Sequence, residues 1–153
     1  MEPLLRLYRN AAGALSRLQS PMLLAVRLYW GYQFAQTGWG KLHHLARITD
    51  FFTSLGIPFP GLNAHFVAGL EFAGGILLML GLMSRPVALL LAGNMFVAYL
   101  TADREALLAI FSDPGKFYVA DPYTFLFASV MVLIFGPGWF AIDTIIRRRL
   151  ARQ

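Results

Sequence analysis

Cysteine is missing from this 153-residue sequence, which excludes a disulfide framework, a CxxC redox pair, a thiolate metal site and a cysteine nucleophile within the chain. Charge is scarce as well. Asp, Glu, Lys and Arg make up 14% of the residues against 58% hydrophobic, too little polar surface to dissolve a monomer of this size. The sequence has no Walker loop, dinucleotide glycine fingerprint, HExxH zinc helix or nucleophile elbow, so classical soluble-enzyme chemistry is unsupported. Internal repeats and low-complexity tracts are missing too. What the sequence does contain is long apolar runs broken by Gly, Pro and short charged clusters, the pattern of a chain whose solvent is lipid.

The formal charge of +5 and pI near 10.0 do not indicate nucleic acid, because the basic residues flank the apolar runs instead of forming a patch of their own. Leu4, Tyr8, Ala11, Leu15 and Leu18 recur at helical spacing with Arg6, Arg9, Asn10 and Arg17 elsewhere around the turn. This predicts an amphipathic interfacial helix over about residues 3–19. The arginines and the lack of a small-residue cleavage site argue against a cleaved signal peptide, so the first span is expected to serve as the insertion signal.

Ser20 and Pro21 are expected to open that first span, over about residues 22–44, long enough for the roughly 20 residues a bilayer core requires. A short amphipathic piece with Ile48, Phe51, Phe52 and Leu55 follows, then a turn at Gly56–Gly61. Further spans are expected over about residues 63–83, 86–102 and 122–142, with Ser84-Arg85-Pro86 breaking the second from the third. Asp121 is expected to cap the last and Pro122 to begin it. The fourth apolar run ends at Gly136-Pro137-Gly138. Either its helix continues through Pro137, or it stops there and the tail turns along the interface.

Between them, Asp103–Asp121 is the most acidic stretch, with a short helix near Arg104–Phe111 and a turn at Asp113-Pro114-Gly115, outside the hydrocarbon. With alternating spans, Arg6, Arg9, Arg17, Arg85, Arg147, Arg148, Arg149 and Arg152 fall on one side, and Lys41, Arg47, Arg104 and Lys116 on the other. This bias predicts that both termini are cytoplasmic. The expected fold is therefore all-α: one domain over residues 1–153, a four-helix transmembrane bundle with short interfacial helices.

Arg27, Lys41 and Glu71 fall where an ionised group is expensive, and so are the foremost site candidates. Arg27, Gly31, Phe34, Gly38 and Lys41 share one stripe of the first span, and Ala64, Ala68, Glu71, Gly75, Leu78 and Leu82 share one of the second. The small residues of these stripes let two backbones approach. Counting helical rise puts Glu71 near the depth of Gln33 and roughly 10 Å from Arg27. Two readings stand side by side: Arg27 or Lys41 neutralises Glu71 and fixes register, or these groups line a polar cavity for a quinone headgroup, proton or small polar ligand. Asn94 fits either.

Tyr29, Tyr32 and Trp39 on the first span, with Tyr99 on the third, could stack on a quinone ring, although such residues are also ordinary packing and interface anchors. His43, His44 and His65 are weak metal candidates, because adjacent histidines diverge by about 100° around a helix. Met79, Met83, Met95 and Met131 read as packing, and Arg147-Arg148-Arg149 as a contact for anionic lipid.

Several motifs resemble the DoxX family of bacterial membrane proteins: Arg27, Gly38-Trp39-Gly40-Lys41-Leu42, Phe51-Phe52 and Leu55-Gly56-Ile57-Pro58. They continue in order with Glu71-Phe72-Ala73-Gly74-Gly75, Leu80-Gly81-Leu82, Ser84-Arg85, and Phe135-Gly136-Pro137-Gly138 with Asp143. The resemblance implies a four-helix membrane bundle in the bacterial inner membrane, with Arg27, Lys41, Glu71 and Arg85 at the family's polar positions. It implies an accessory or quinone-interacting subunit of a redox or stress-response system, with no covalently bound cofactor and quinone as a candidate ligand, and a membrane or periplasmic redox partner, or a second copy, beside it. Thr101–Glu105 and Phe111–Pro114 resemble a subgroup found beside iron enzymes that modify metal-binding peptides, which would suggest copper handling. The rival expectations are a noncatalytic anchor or assembly factor, including one for copper-binding peptide maturation, and a small-solute or metal transporter acting as an oligomer.

Overall fold

The computed structural model describes residues 2–151, apart from the side chain of Pro3, so Arg152 lies outside the described residues. Its order is α1 (Glu2–His43), α2 (Leu45–Ser54), α3 (Pro60–Leu80), α4 (Ser84–Thr101), α5 (Arg104–Leu108), α6 (Pro114–Val119), α7 (Pro122–Phe135) and α8 (Ile142–Leu150). Among the described residues there is no strand. One helix, Pro60–Leu80, is both long and apolar enough to cross a bilayer by its own composition; Pro122–Phe135 is apolar but shorter. The polar residues of α1 and α4 lower their mean hydropathy; Lys41 and Asn94 bond a residue of α3 and Arg27 is buried, while Arg6, Arg9, Arg17 and Arg85 are exposed.

The expected separate helix over residues 3–19 is instead the amino half of α1, a continuous helix of 42 residues with Pro21 inside it. Proline removes one amide from the ladder, and the good helix formers on either side carry the helix past it. The break between the second and third apolar segments also moves. Gly81 ends α3 at φ 68° and Met83 precedes α4 at φ 49°, so Ser84, Arg85 and Pro86 form the first turn of α4 instead of the break. Pro122 opens α7 as expected, but Asp121 has helical dihedrals and makes no side-chain cap.

The closest packing is between α1 and α3; α3 also packs on α2 and α4, while α7 packs on α4 and α1. Glycine permits the first of these contacts. A Cβ added at Gly75 would stand 2.5 Å from Ala35 N and from Gly31 O, and one at Gly38 would stand 2.8 Å from Ala68 O. The apolar centre comprises Phe34, Leu78, Val87, Ala88, Leu91, Met95 and Val132. Large apolar residues also face outward, among them Phe66, Leu89, Phe96, Leu100, Phe127 and Ile134, as suits a hydrocarbon solvent.

The fourth apolar segment does not continue as helix to residue 142. It stops at Phe135, where Gly136 turns at φ 78°, and helix resumes only at Ile142. The carbonyls left open at such a break need donors, and two arginines supply them. Arg27 donates from Nη2 to Phe140 O, and Arg85 donates to Ile134 O at 3.3 Å. Ser20 Oγ accepts from Trp139 N at 3.2 Å, and Thr144 Oγ1 donates to Gly138 O at 2.7 Å.

Candidate functional site

Three helices converge on one carboxylate. Glu71 sits midway along α3 on the face of Ala68 and Gly75, and is 1% exposed. Lys41, near the carboxyl end of α1, donates to both of its oxygens at 2.6 and 2.7 Å. Asn94 of α4 donates from Nδ2 to Oε1 at 3.0 Å. The bidentate grip and added amide offset much of the cost of burying the charges.

Cavities open on either side of this cluster. One, of about 490 Å³, lies between α2, α3 and α4; Lys41, Glu71 and Asn94 form its polar end and Phe51, Phe52, Leu55, Ile57 and Pro58 its apolar wall. The other, of about 790 Å³, shares Lys41, Glu71 and Phe51 and runs to Asp103, Asp121 and Thr124 between α4 and α7. At its mouth the Asp103 carboxyl is pushed up by burial and by the neighbouring charge of Asp121.

The other expected members lie elsewhere. Arg27 is fully buried but serves the break after α7, where it bonds Phe140 O. It stands so close to Gly81 that a side chain there would overlap its Nη1, and Asp143 is the carboxylate that acts on it. Arg85 is exposed at the same end. Gln33 is half-buried and reaches only Tyr29 Oη, at 3.5 Å. The expected aromatic contacts also fall outside the cluster. Tyr29 and Tyr32 are exposed, Trp39 packs on His43 and Phe72, and Tyr99 is buried, stacked on Phe117 and donating to its carbonyl at 2.7 Å. His43, His44 and His65 each bond a carbonyl four residues back in the chain. No group of three metal-ligating side chains occurs among the described residues.

Sequence reasoning missed the α2 wall of the cavity, although Phe51, Phe52 and Leu55 stand out as its amphipathic face. It also gave no role to Asp143. That carboxylate accepts from the amides of Met83 and Ser84, both at 2.8 Å, capping α4 from a distant part of the chain, while its own amide donates to Gly81 O at 3.0 Å. A lone acid one helical turn ahead of a basic run was the available signal.

Burial alone would raise the Asp143 carboxyl, but the hydrogen bonds from Ser84 and Met83 and the charge of Arg147 outweigh it and hold the group below its usual range. Its contribution to stability is therefore complete above the unfolded value of about 3.9 and is lost as pH falls through the lower folded value. Asp143→Asn is expected to cost about 2 kcal/mol at neutral pH and to flatten that acid dependence. Thermal unfolding in detergent from pH 3 to 7 checks both; a variant that melts like the parent at pH 7 contradicts the capping role.

The chain is 25% identical over 136 residues to "Inner membrane protein YqjF" of Escherichia coli (strain K12), an alignment covering 88% of this chain and 99% of that protein. It is 29% identical over 120 residues to "Putative oxidoreductase CatD" of Bacillus subtilis (strain 168), covering 78% and 83% respectively. No solved structure matches it. The DoxX family model matches residues 22–104, more than half of the chain, a stretch that holds Lys41, Glu71 and Asn94 together with Arg27 and Arg85, and the chain is a membrane protein of the DoxX family.

Proposed function

We propose that this protein is a four-span inner-membrane subunit, with both ends cytoplasmic, that binds the headgroup of a quinone, or of a ligand of similar amphipathic shape, against the Lys41–Glu71–Asn94 cluster. The observation that carries this reading is a buried ion pair at the polar end of a cavity of about 490 Å³ whose remaining wall is mostly apolar. Ligand sites typically combine such a wall with a few convergent polar groups. The donor set suits a quinone: Lys41 and Asn94 offer N–H groups for a carbonyl oxygen, and Phe51 and Phe52 offer apolar faces for a ring. A bound quinone supplies electron-carrying chemistry that this chain's side chains lack, with the electrons coming from a partner protein. Glu71 holds or releases the accompanying proton, and the larger cavity toward Asp103 and Asp121 gives that proton access to water. The relative named as an oxidoreductase supports a redox setting. Arg27, which bonds the backbone between α7 and α8, has no part in the reading.

The expected result is that protein purified in mild detergent retains a quinone detectable by mass spectrometry, that Glu71→Gln and Asn94→Leu reduce it by about tenfold, corresponding to about 1.4 kcal/mol, and that Arg27→Lys leaves it in place. No quinone in the parent protein, or equal retention in all variants, contradicts the proposal. A second reading, a noncatalytic anchor for a partner, is supported by the amino half of α1, where Leu4, Leu7, Tyr8, Leu15 and Leu18 are exposed. A partner whose capture requires that segment while its activity survives Glu71→Gln would favour the anchor.

A further inference from the structure

At the end of the molecule opposite the Glu71 cavity, residues at the start of α4 and of α8 line a cleft of about 300 Å³ that includes Arg85 and Arg147. We propose that this cleft is a binding site for the phosphate group of an anionic phospholipid. The inference rests on the bilayer arrangement proposed above and not on any ligand at Glu71.

Three observations carry it. First, neither guanidinium makes a contact ion pair, since those among the described residues are Arg6–Glu2 and Lys41–Glu71, and Arg147 acts on Asp143 only through its charge. Arg85 has only a 3.3 Å bond to Ile134 O. Second, the acid in the cleft is already committed, since both oxygens of Asp143 accept backbone amides of the α3–α4 turn. With Arg27 buried behind it, Asp143 leaves the region net positive. Third, the walls are mixed in the way a lipid requires. Met83 and Ile146 are exposed large apolar residues beside the two arginines, and Pro86 and Pro137 line the cleft with them. A glycerol and the first acyl carbons can lie along these while the phosphate meets the guanidiniums. Basic residues on α8 directly after an apolar helix also stand where a bilayer's charged surface would be. A free phosphate shares the anionic chemistry but has no use for the apolar rim, so the site is assigned to the lipid.

The test is native mass spectrometry of the full chain released from bilayers of equal phosphatidylglycerol and phosphatidylcholine. The parent protein is expected to retain phosphatidylglycerol in preference. Loss of two basic contacts in Arg85→Gln/Arg147→Gln should weaken that retention about 30-fold, while Arg85→Lys/Arg147→Lys keeps most of it and shows that the fold survives. Arg104→Gln/Lys116→Gln removes the same charge elsewhere and should change nothing. Equal retention of the two lipids, an unaltered preference in the glutamine variant, or an equal loss in the Arg104/Lys116 control would overturn the site. Displacement of the lipid by millimolar inorganic phosphate would overturn the choice of lipid as occupant.

Discussion

Replacing Glu71 by alanine is expected to destabilise the protein by about 3–5 kcal/mol, the usual cost of removing one partner from a buried ion pair. The acid is almost fully enclosed, while Lys41 is 29% exposed at its side chain, so the ammonium group left behind keeps some water and the cost falls at the lower end of that range. Asn94 loses its acceptor in the same step. The double variant Lys41→Met/Glu71→Met is expected to recover most of the loss, because well-packed apolar residues often replace such a pair at little cost. Reversible unfolding in mixed detergent micelles compares the three proteins. A single variant as stable as the parent, or a double variant no better than the single, would mean that the pair does not organise these helices. The comparison also separates stability from binding: a double variant that folds but holds no ligand assigns the charges to function.

The second large effect is steric. Gly38→Val and Gly75→Val are each expected to cost about 3 kcal/mol, at the upper end for overpacking, because the atoms in the way belong to backbone. At Gly38 the obstructing atoms are Phe72 N, Phe72 Cα and Ala68 O, and at Gly75 they include Ala35 N and Gly31 O. Neither helix can yield without separating α1 from α3 and drawing Lys41 away from Glu71. Gly40 of α1, Gly69 of α3 and Gly93 of α4 have nothing within 4 Å of an added Cβ. Alanine at these three is expected to be neutral or stabilising by about 0.5–1 kcal/mol through helix propensity. Thermal melting of the series in detergent tests the contrast; similar losses at both sets of glycines would show that helix propensity, and not close approach, is what matters.

Much of this was legible before any coordinates. The spacing of Gly31, Gly38 and Lys41 marks one helix face, and that of Ala68, Glu71 and Gly75 another, and the structure brings these two faces together. Periodicity is a local property, so it survives being read from the chain alone. The partner of Glu71 was not legible, because Arg27 and Lys41 share a stripe and helical rise alone leaves each within reach. The answer depends on the break after α7, which brings the carbonyl of Phe140 to Arg27 and leaves Lys41 for the acid. Which aromatic residues line the cavity was not legible for a similar reason. Tyr29 and Tyr32 lie on the first apolar segment but outside the stripe that meets α3, while the cavity wall comes from Phe51 and Phe52 of α2.

By itself the sequence determined that this chain lives in lipid as helices, that few of its charges could be idle, and that glycine faces would bring two helices together. Composition and short-range spacing suffice for each of these. Only the tertiary structure decided which cation holds Glu71, that Arg27 and Arg85 serve the broken backbone beyond α7, and that Asp143 caps a helix 59 residues away. Those choices join parts of the chain whose separation no local pattern records, and each is fixed by where an unsatisfied backbone or charged group finds its complement once the helices have packed.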